Sequence, residues 1–259
     1  MLNLMRADIY RMFRGKGIYI AFAFMLMLVG LMVFVFRMAP ASGFVYELIE
    51  AVPDNYMTGA MGAELAVNGM NNTVFYFLAG IISISIAAFS SGAVKNELTM
   101  GISRTKYYIS KWILSCVFSV AVMVVTLALF VLFATIVDGF GSWDGIFGET
   151  MRIFGLQSLL AIGFSSVCVF LCFVTRRTGA ALGLFLAFVL VPTFILAMLD
   201  MSFTWAMDMA LYDMFFLFGA FARSTYMSGE VVRGVLVAVG YTLVSTVGGI
   251  YLFRKAEIK

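Results

Sequence analysis

Apolar residues run through this chain in long unbroken blocks rather than alternating with polar ones. Six stretches carry no charged residue, at 18–36, 73–94, 112–137, 153–174, 178–199 and 234–253. Each is about 20 residues, or about 30 Å at 1.5 Å per residue, which is the thickness of bilayer hydrocarbon. The blocks are continuous, and a helix satisfies its own backbone in lipid, so they predict spanning helices rather than strands. Pro192, late in the fifth block, predicts a kink in that helix, not its end. The pattern predicts an all-α integral membrane protein, a single transmembrane domain over 1–259 with six spans.

Two shorter segments are also patterned. Leu2, Met5, Ile9, Met12 and Phe13 recur at helical spacing, while Arg6, Arg11 and Arg14 take other faces. The pattern fits an amphipathic helix in the inner interface with its cations near anionic headgroups, or a basic flank that is merely helical. Residues 211–222 (LYDMFFLFGAFA) are apolar but only a dozen long and interrupted by Asp213. That length suits a short re-entrant or interfacial outer helix better than a seventh span.

Charge orients the six blocks. With the N-terminus inside, the cytoplasmic segments hold thirteen of the 17 Lys and Arg, leaving Arg37, Arg152, Arg223 and Arg233 outside. The acids mirror this, with only Asp8, Glu97 and Glu257 of 14 inside. The positive-inside rule therefore puts both termini in the cytoplasm. A seventh span at 211–222 would turn Arg254, Lys255 and Lys259 outward, against that rule. The block at 18–36 exceeds the roughly 7–15 apolar residues of a cleavable signal, so a retained first span is expected.

Composition narrows the chemistry. Hydrophobic residues make up 63% and mean hydropathy is +1.03, against roughly 45–50% apolar in a soluble domain. With 0 His, the commonest general base and zinc ligand is missing. Cys116, Cys168 and Cys172 lie in apolar runs and read as small buried hydrophobes, so no metal site is expected. No G-x-x-x-x-G-K-[ST] occurs, which leaves no P-loop phosphate site. The span cores hold no Asp, Glu, Lys, Arg or His, which disfavours proton relays and intramembrane proteolysis. The string VAVGYT at 237–242 echoes a potassium filter but lies mid-helix, with no room for a following inner helix. No catalytic residue and no nucleic-acid partner are expected.

Small residues mark helix contacts: Gly179 and Gly183 as GxxxG in the fifth span, Gly248 and Gly249 in the sixth, and a Ser-rich second span. They fit packing within one bundle or a subunit interface. The segment 95–111 (KNELTMGISRTKYYISK) is cytoplasmic and polar, yet Leu98, Ile102 and Ile109 give it an apolar face. Met100, Tyr107 and Tyr108 add bulk for contact with another surface; the alternative is a helix resting on headgroups with snorkelling cations.

On these features the chain resembles the permease subunits of ABC type 2 exporters. In that family a Glu opens the inner loop after the second span, a Gly follows, and a Ser-Arg pair and a Lys lead into the third. Glu97, Gly101, Ser103, Arg104 and Lys111 match in order; the Pro often found near the Arg is missing. The resemblance covers the six spans, the inner N-terminal helix and the short outer helix before the last span. It implies a cytoplasmic coupling helix between spans two and three, an ATPase-coupling loop of Glu97, Leu98, Met100, Gly101, Ile102, Ser103, Arg104, Tyr107 and Lys111, and an interfacial helix presenting Met5, Arg6, Ile9, Arg11, Met12, Phe13 and Arg14. It also implies an ABC ATPase partner in two copies that binds ATP and Mg, a second permease copy or paralogue, and a multi-pass plasma-membrane location. No cofactor is expected in this chain. The Met- and Phe-rich stretch from Met198 through Met201, Met207 and Met209 to Met214 suggests an amphipathic or hydrophobic cargo, a peptide above all. Ion or drug extrusion, immunity to such peptides, and a non-transporting anchor are the alternatives.

Overall fold

The computed structural model describes residues 2–38, 58–67, 69–87, 101–200, 209, 212–214, 217–218, 221 and 228–255. Its regular elements are all helices: α1 (Leu2–Arg14), α2 (Lys16–Met38), α3 (Gly59–Val67), α4 (Gly69–Ala87), α5 (Arg104–Asp138), α6 (Ile146–Thr175), α7 (Thr178–Asp200) and α8 (Ser228–Lys255). Five of these, α2, α5, α6, α7 and α8, are long and apolar enough to cross a membrane. The described part of the expected second span is α4, and residues 88–94 at its end lie outside the described residues. The chain is an all-helical integral membrane protein.

Local chemistry sets the helix ends. Gly15 separates α1 from α2 and donates back to Arg11 and Met12 carbonyls at 3.1 Å. Ser103, extended at φ −66°, caps α5 by accepting from the Lys106 amide. Gly139, at φ 85°, closes α5 by donating to Thr135 O at 3.0 Å. Arg176 does the same for α6 in the left-handed region, leaving two residues before α7. Pro192 stays inside α7, which runs on to Asp200.

The spans overrun the apolar blocks that predicted them. The third begins at Arg104 rather than 112, and the fourth at Ile146 rather than 153. Thus 104–111, expected as part of a separate coupling helix, forms the first two turns of the third span itself. Charged and polar residues at the membrane surface continue a helix that a count of apolar residues stops too early. From Lys111 to Asp138 the rise is about 40 Å, the full bilayer with headgroups, so the turns before Lys111 project about 10 Å beyond it.

The helices pack around α6, whose apolar window is 61% buried against 17% for α2, α7 and α8. One core joins α4, α5, α6, α7 and α8 through Ile84, Tyr108, Phe164, Phe173, Phe185 and Phe253. A second joins α2, α3 and the outer half of α5 through Met25, Val29, Val33, Leu65, Phe130 and Ala134. Arg37 and Asp138 close its outer edge with an ion pair of 3.0 Å.

The helix α3 has no counterpart among the apolar blocks. Its glycines let it lie on α5 at backbone contact, since a Cβ at Gly62 would fall 2.7 Å from Ala134 Cβ and from Phe130 O. Its first amides donate outside the helix, Gly59 to Gly139 O and Ala60 to Phe140 O. Of the expected outer helix at 211–222 only part is described. Leu217 donates to Asp213 O and Phe221 to Leu217 O at 3.0 Å, one helical turn each. Met214, Leu217, Phe218 and Phe221 are buried in the main core.

Candidate functional site

The inner end of the bundle is a junction of three elements built on the start of α5. Gly101 leads into it at φ 85°, where a side chain would strain the backbone, although nothing among the described residues lies within 4 Å of a Cβ there. Ser103 then caps the helix, and the next residues reach across to other elements.

Arg104 lies against the end of α8. Its Nη1 donates to Arg254 O at 2.8 Å and to Phe253 O at 3.4 Å. These are among the carbonyls a helix end leaves without intrahelical donors, so a guanidinium there caps the helix and offsets its negative pole. Arg254 returns the contact, Nε donating to Thr105 Oγ1 at 2.9 Å. Tyr107 and Tyr108 follow beneath. Tyr107 lies 5.9 Å from Phe253 and 6.0 Å from Phe173, and Phe173 stands edge-on to Phe253 at 4.8 Å. Tyr108 meets Phe173 at 4.7 Å and donates its hydroxyl to Ser245 O at 3.2 Å. Gly249 makes room for that phenol, because any Cβ there would overlap it.

Lys111 joins α5 to α1. Its Nζ is 2.7 Å from Asp8 Oδ1, with side-chain exposures of 7% and 6%, so the pair is buried. Arg11 approaches the same oxygen at 3.7 Å from a solvent-exposed position, and Asp8 Oδ2 has no hydrogen-bond partner among the described residues. The Lys111 ammonium also lies 5.5 Å from the Tyr107 ring centroid. At the next residue, Trp112 Nε1 donates to Ser166 Oγ at 2.7 Å and ties the segment to α6.

The anticipated site residues therefore divide. Gly101, Ile102, Ser103, Arg104, Tyr107 and Lys111 converge on this junction, while Glu97, Leu98 and Met100 lie outside the described residues. Tyr107 and Tyr108, read from the sequence as bulk for an outside surface, are instead inside the bundle at 3% and 0% exposure. The two turns of α5 place them on the face that meets α6 and α8. On α1, Arg6, Arg11, Phe13 and Arg14 are exposed and Met5, Ile9 and Met12 half-buried. The buried positions are Leu4 and Asp8, four apart on one face. Of the packing glycines, Gly249 is enclosed and Gly248 makes an ordinary contact with Phe170 at 3.5 Å. Gly179 and Gly183 have nothing within 4 Å of a Cβ among the described residues.

Two positions that tie elements together escaped the sequence reading. Asp8 carries a signal in hindsight, being the only carboxylate in the first 46 residues among several arginines. Gln157 is the only Asn or Gln in the six apolar blocks. It is fully buried in α6, and its amide donates to Val67 O at 2.9 Å and Phe218 O at 3.3 Å. It thus ties the end of α3 and the inserted outer segment to the central helix. Among the described residues no group of His, Cys, Asp and Glu could hold a metal.

A family model described as an ABC-2 family transporter protein matches residues 5–193. No curated protein matches the chain. The matched range includes every junction residue contributed by α1 and α5, and stops before α8. Members are the membrane-embedded side of such transporters, which implies an ABC ATPase partner, a lipid environment and a multi-pass membrane protein. With most of its length so matched, the chain belongs to the ABC-2 family of transporter proteins.

Proposed function

We propose that this chain is the permease subunit of an ATP-driven exporter in the plasma membrane, moving an amphipathic or hydrophobic cargo, a membrane-active peptide above all. Two permeases form the path, and two separate ATPase subunits bind ATP and Mg and supply the energy, since this chain carries no P-loop. The observation that carries the proposal is the inner junction. The segment from Gly101 to Trp112 is fixed at once to α1 through Asp8, to α8 through Arg104 and to α6 through Trp112. A displacement of its tip by a docked ATPase therefore moves three elements together, and a continuous helix carries that motion into the third span. The exposed Gly179 and Gly183 on α7 suit close approach of the second permease.

The chemistry of the interior supports the cargo class. Among the described residues, the buried polar groups of the apolar blocks are neutral, mainly hydroxyls such as Ser83, Ser115, Ser119 and Ser165, with the amide of Gln157. Neutral groups of this kind suit neither a small ion nor a sugar phosphate. The test is ATPase activity of the complex reconstituted with its partner subunit and titrated with amphipathic peptides, sodium ions and lipid-like drugs. Peptides are expected to stimulate it; stimulation by sodium alone would replace the peptide exporter with an ion-extruding relative. In the same complex Gly101→Val and Glu97→Lys should abolish stimulation at normal membrane insertion. Normal transport by both variants would remove the coupling role of the segment.

A further inference from the structure

A cavity of about 220 Å³ lies between α6, α7, α8 and the inserted outer segment. Phe188, Pro192 and Leu196 of α7 form one wall, Tyr241 of α8 another, and Tyr212 and Asp213 its outer side. Pro192 and Leu196 are about 21 and 27 Å along α7 from its inner end, which places the cavity in the outer half of the bilayer. Phe194 and Ile195 beside them are exposed and apolar, so the rim on α7 lies on the outside of the described bundle.

The wall is aromatic and carries one carboxylate. Phe188 and Tyr241 stand edge to face at 6.0 Å. Asp213 is the only acid among the described residues that line it. Aromatic faces and a carboxylate attract an ammonium, and the carboxylate repels an anion. The guanidinium of Arg233 lies 5.3 Å from the Tyr212 ring centroid, so that ring already holds a cation. Asp213 has contacts within the chain, and a bound ammonium would share it. The volume is below the roughly 300–1,000 Å³ of sites that enclose a drug-sized ligand. It admits one side chain or head group, with the remainder of the ligand lying outside along α7.

We infer that this cavity is a recognition site for the ammonium-bearing end of a cationic amphipath, entered sideways from the outer half of the bilayer. It deepens the proposed export of an amphipathic cargo by requiring a positive charge on that cargo, and it rests on that proposal only for its biological role. The cationic side chain of an amphipathic peptide is the intended occupant; an alkylammonium carries the same chemistry and serves as the probe.

The full-length chain, assembled with its ATPase partner in nanodiscs, would be labelled with a photoactivatable dodecylammonium and the adducts mapped by mass spectrometry. Adducts are expected on Phe188, Leu196 and Met209, displaced by dodecylammonium and by a lysine-bearing amphipathic peptide, but not by dodecyl sulfate. Labelling should fall at least tenfold in Asp213→Asn and persist in Asp213→Glu. Should Asp213→Asn fail to fold, Phe188→Leu replaces it, with the same loss expected. Adducts confined to other helices, equal labelling by an uncharged dodecyl probe, or equal labelling of wild type and the loss variants would each overturn the site. Displacement by dodecylammonium but not by the peptide would overturn the peptide as occupant. Peptide stimulation of ATPase without cavity labelling removes this site and leaves the exporter; cavity labelling without peptide stimulation does the reverse.

Discussion

Asp8 and Lys111 show what a single pair does in this bundle. Desolvating two charges is costly, and their attraction roughly offsets that cost, so the net stabilisation of a buried pair is small. Removing one partner is different, because the other remains buried and charged. Lys111→Met should destabilise the chain by about 3–5 kcal/mol, and adding Asp8→Asn should restore most of it. Thermal unfolding of the detergent-purified single and double variants measures both. An additive double variant would mean that the two side chains do not interact as described. The glycines give a second contrast. Gly249→Ala drives a methyl into the Tyr108 phenol and should cost about 1–3 kcal/mol. Gly183→Ala meets nothing among the described residues and should stay within about 0.5 kcal/mol in the isolated subunit. Equal melting temperatures for the two would contradict the enclosure of Gly249.

Among the elements, α5 carries the most information and was the least completely legible. Its apolar block was plain from 112 onward, but its first two turns are Arg-Thr-Lys-Tyr-Tyr-Ile-Ser-Lys, which hydropathy alone reads as loop. The Ser103 cap, three residues from the Lys106 amide it accepts from, and the Arg104 contact with α8, 150 residues away, make them helix, and the second is invisible to local hydropathy. The small helix α3 was hidden for a related reason. Its sequence, GAMGAELAV, is too short and too small-sided to register as a span, and its burial comes from fitting α5 rather than from its own hydrophobicity. By contrast the six blocks, the basic N-terminal helix and the family motif were legible because membrane thickness and charge act locally on the sequence. Arg104→Ala tests the long-range part. Losing a charged cap should loosen the last turn of α8 by about 1–2 kcal/mol, seen as faster amide exchange across 250–255 with the rest of α8 unchanged. Unchanged exchange there would show that Arg104 does not hold the helix end.

At the scale of the whole molecule, contacts fix which ends lie together before any membrane is considered. Asp8 on α1 meets Lys111 at the start of α5, and Arg104 meets the end of α8, so both described chain ends and the junction share one end of the bundle. Arg37 and Asp138 meet at the opposite end, about 40 Å away along α5. An even number of crossings follows, in agreement with six spans. Which end faces the cytoplasm is decided by charge, because Arg6, Arg11, Arg14, Arg104, Arg176 and Arg254 all belong to the junction end or its connecting turns. Single cysteines at Ser103 and Thr178 should therefore resist an impermeant thiol reagent in intact cells and react once the membrane is opened. One at Ser142 should react in intact cells. All three positions are exposed, so access is set by the membrane rather than by burial. The native Cys116, Cys168 and Cys172 are buried free thiols and would be replaced by Ala or Ser to give a silent background. Labelling of the Ser103 cysteine in sealed cells would invert the orientation and move the proposed ATPase contact to the wrong side of the membrane.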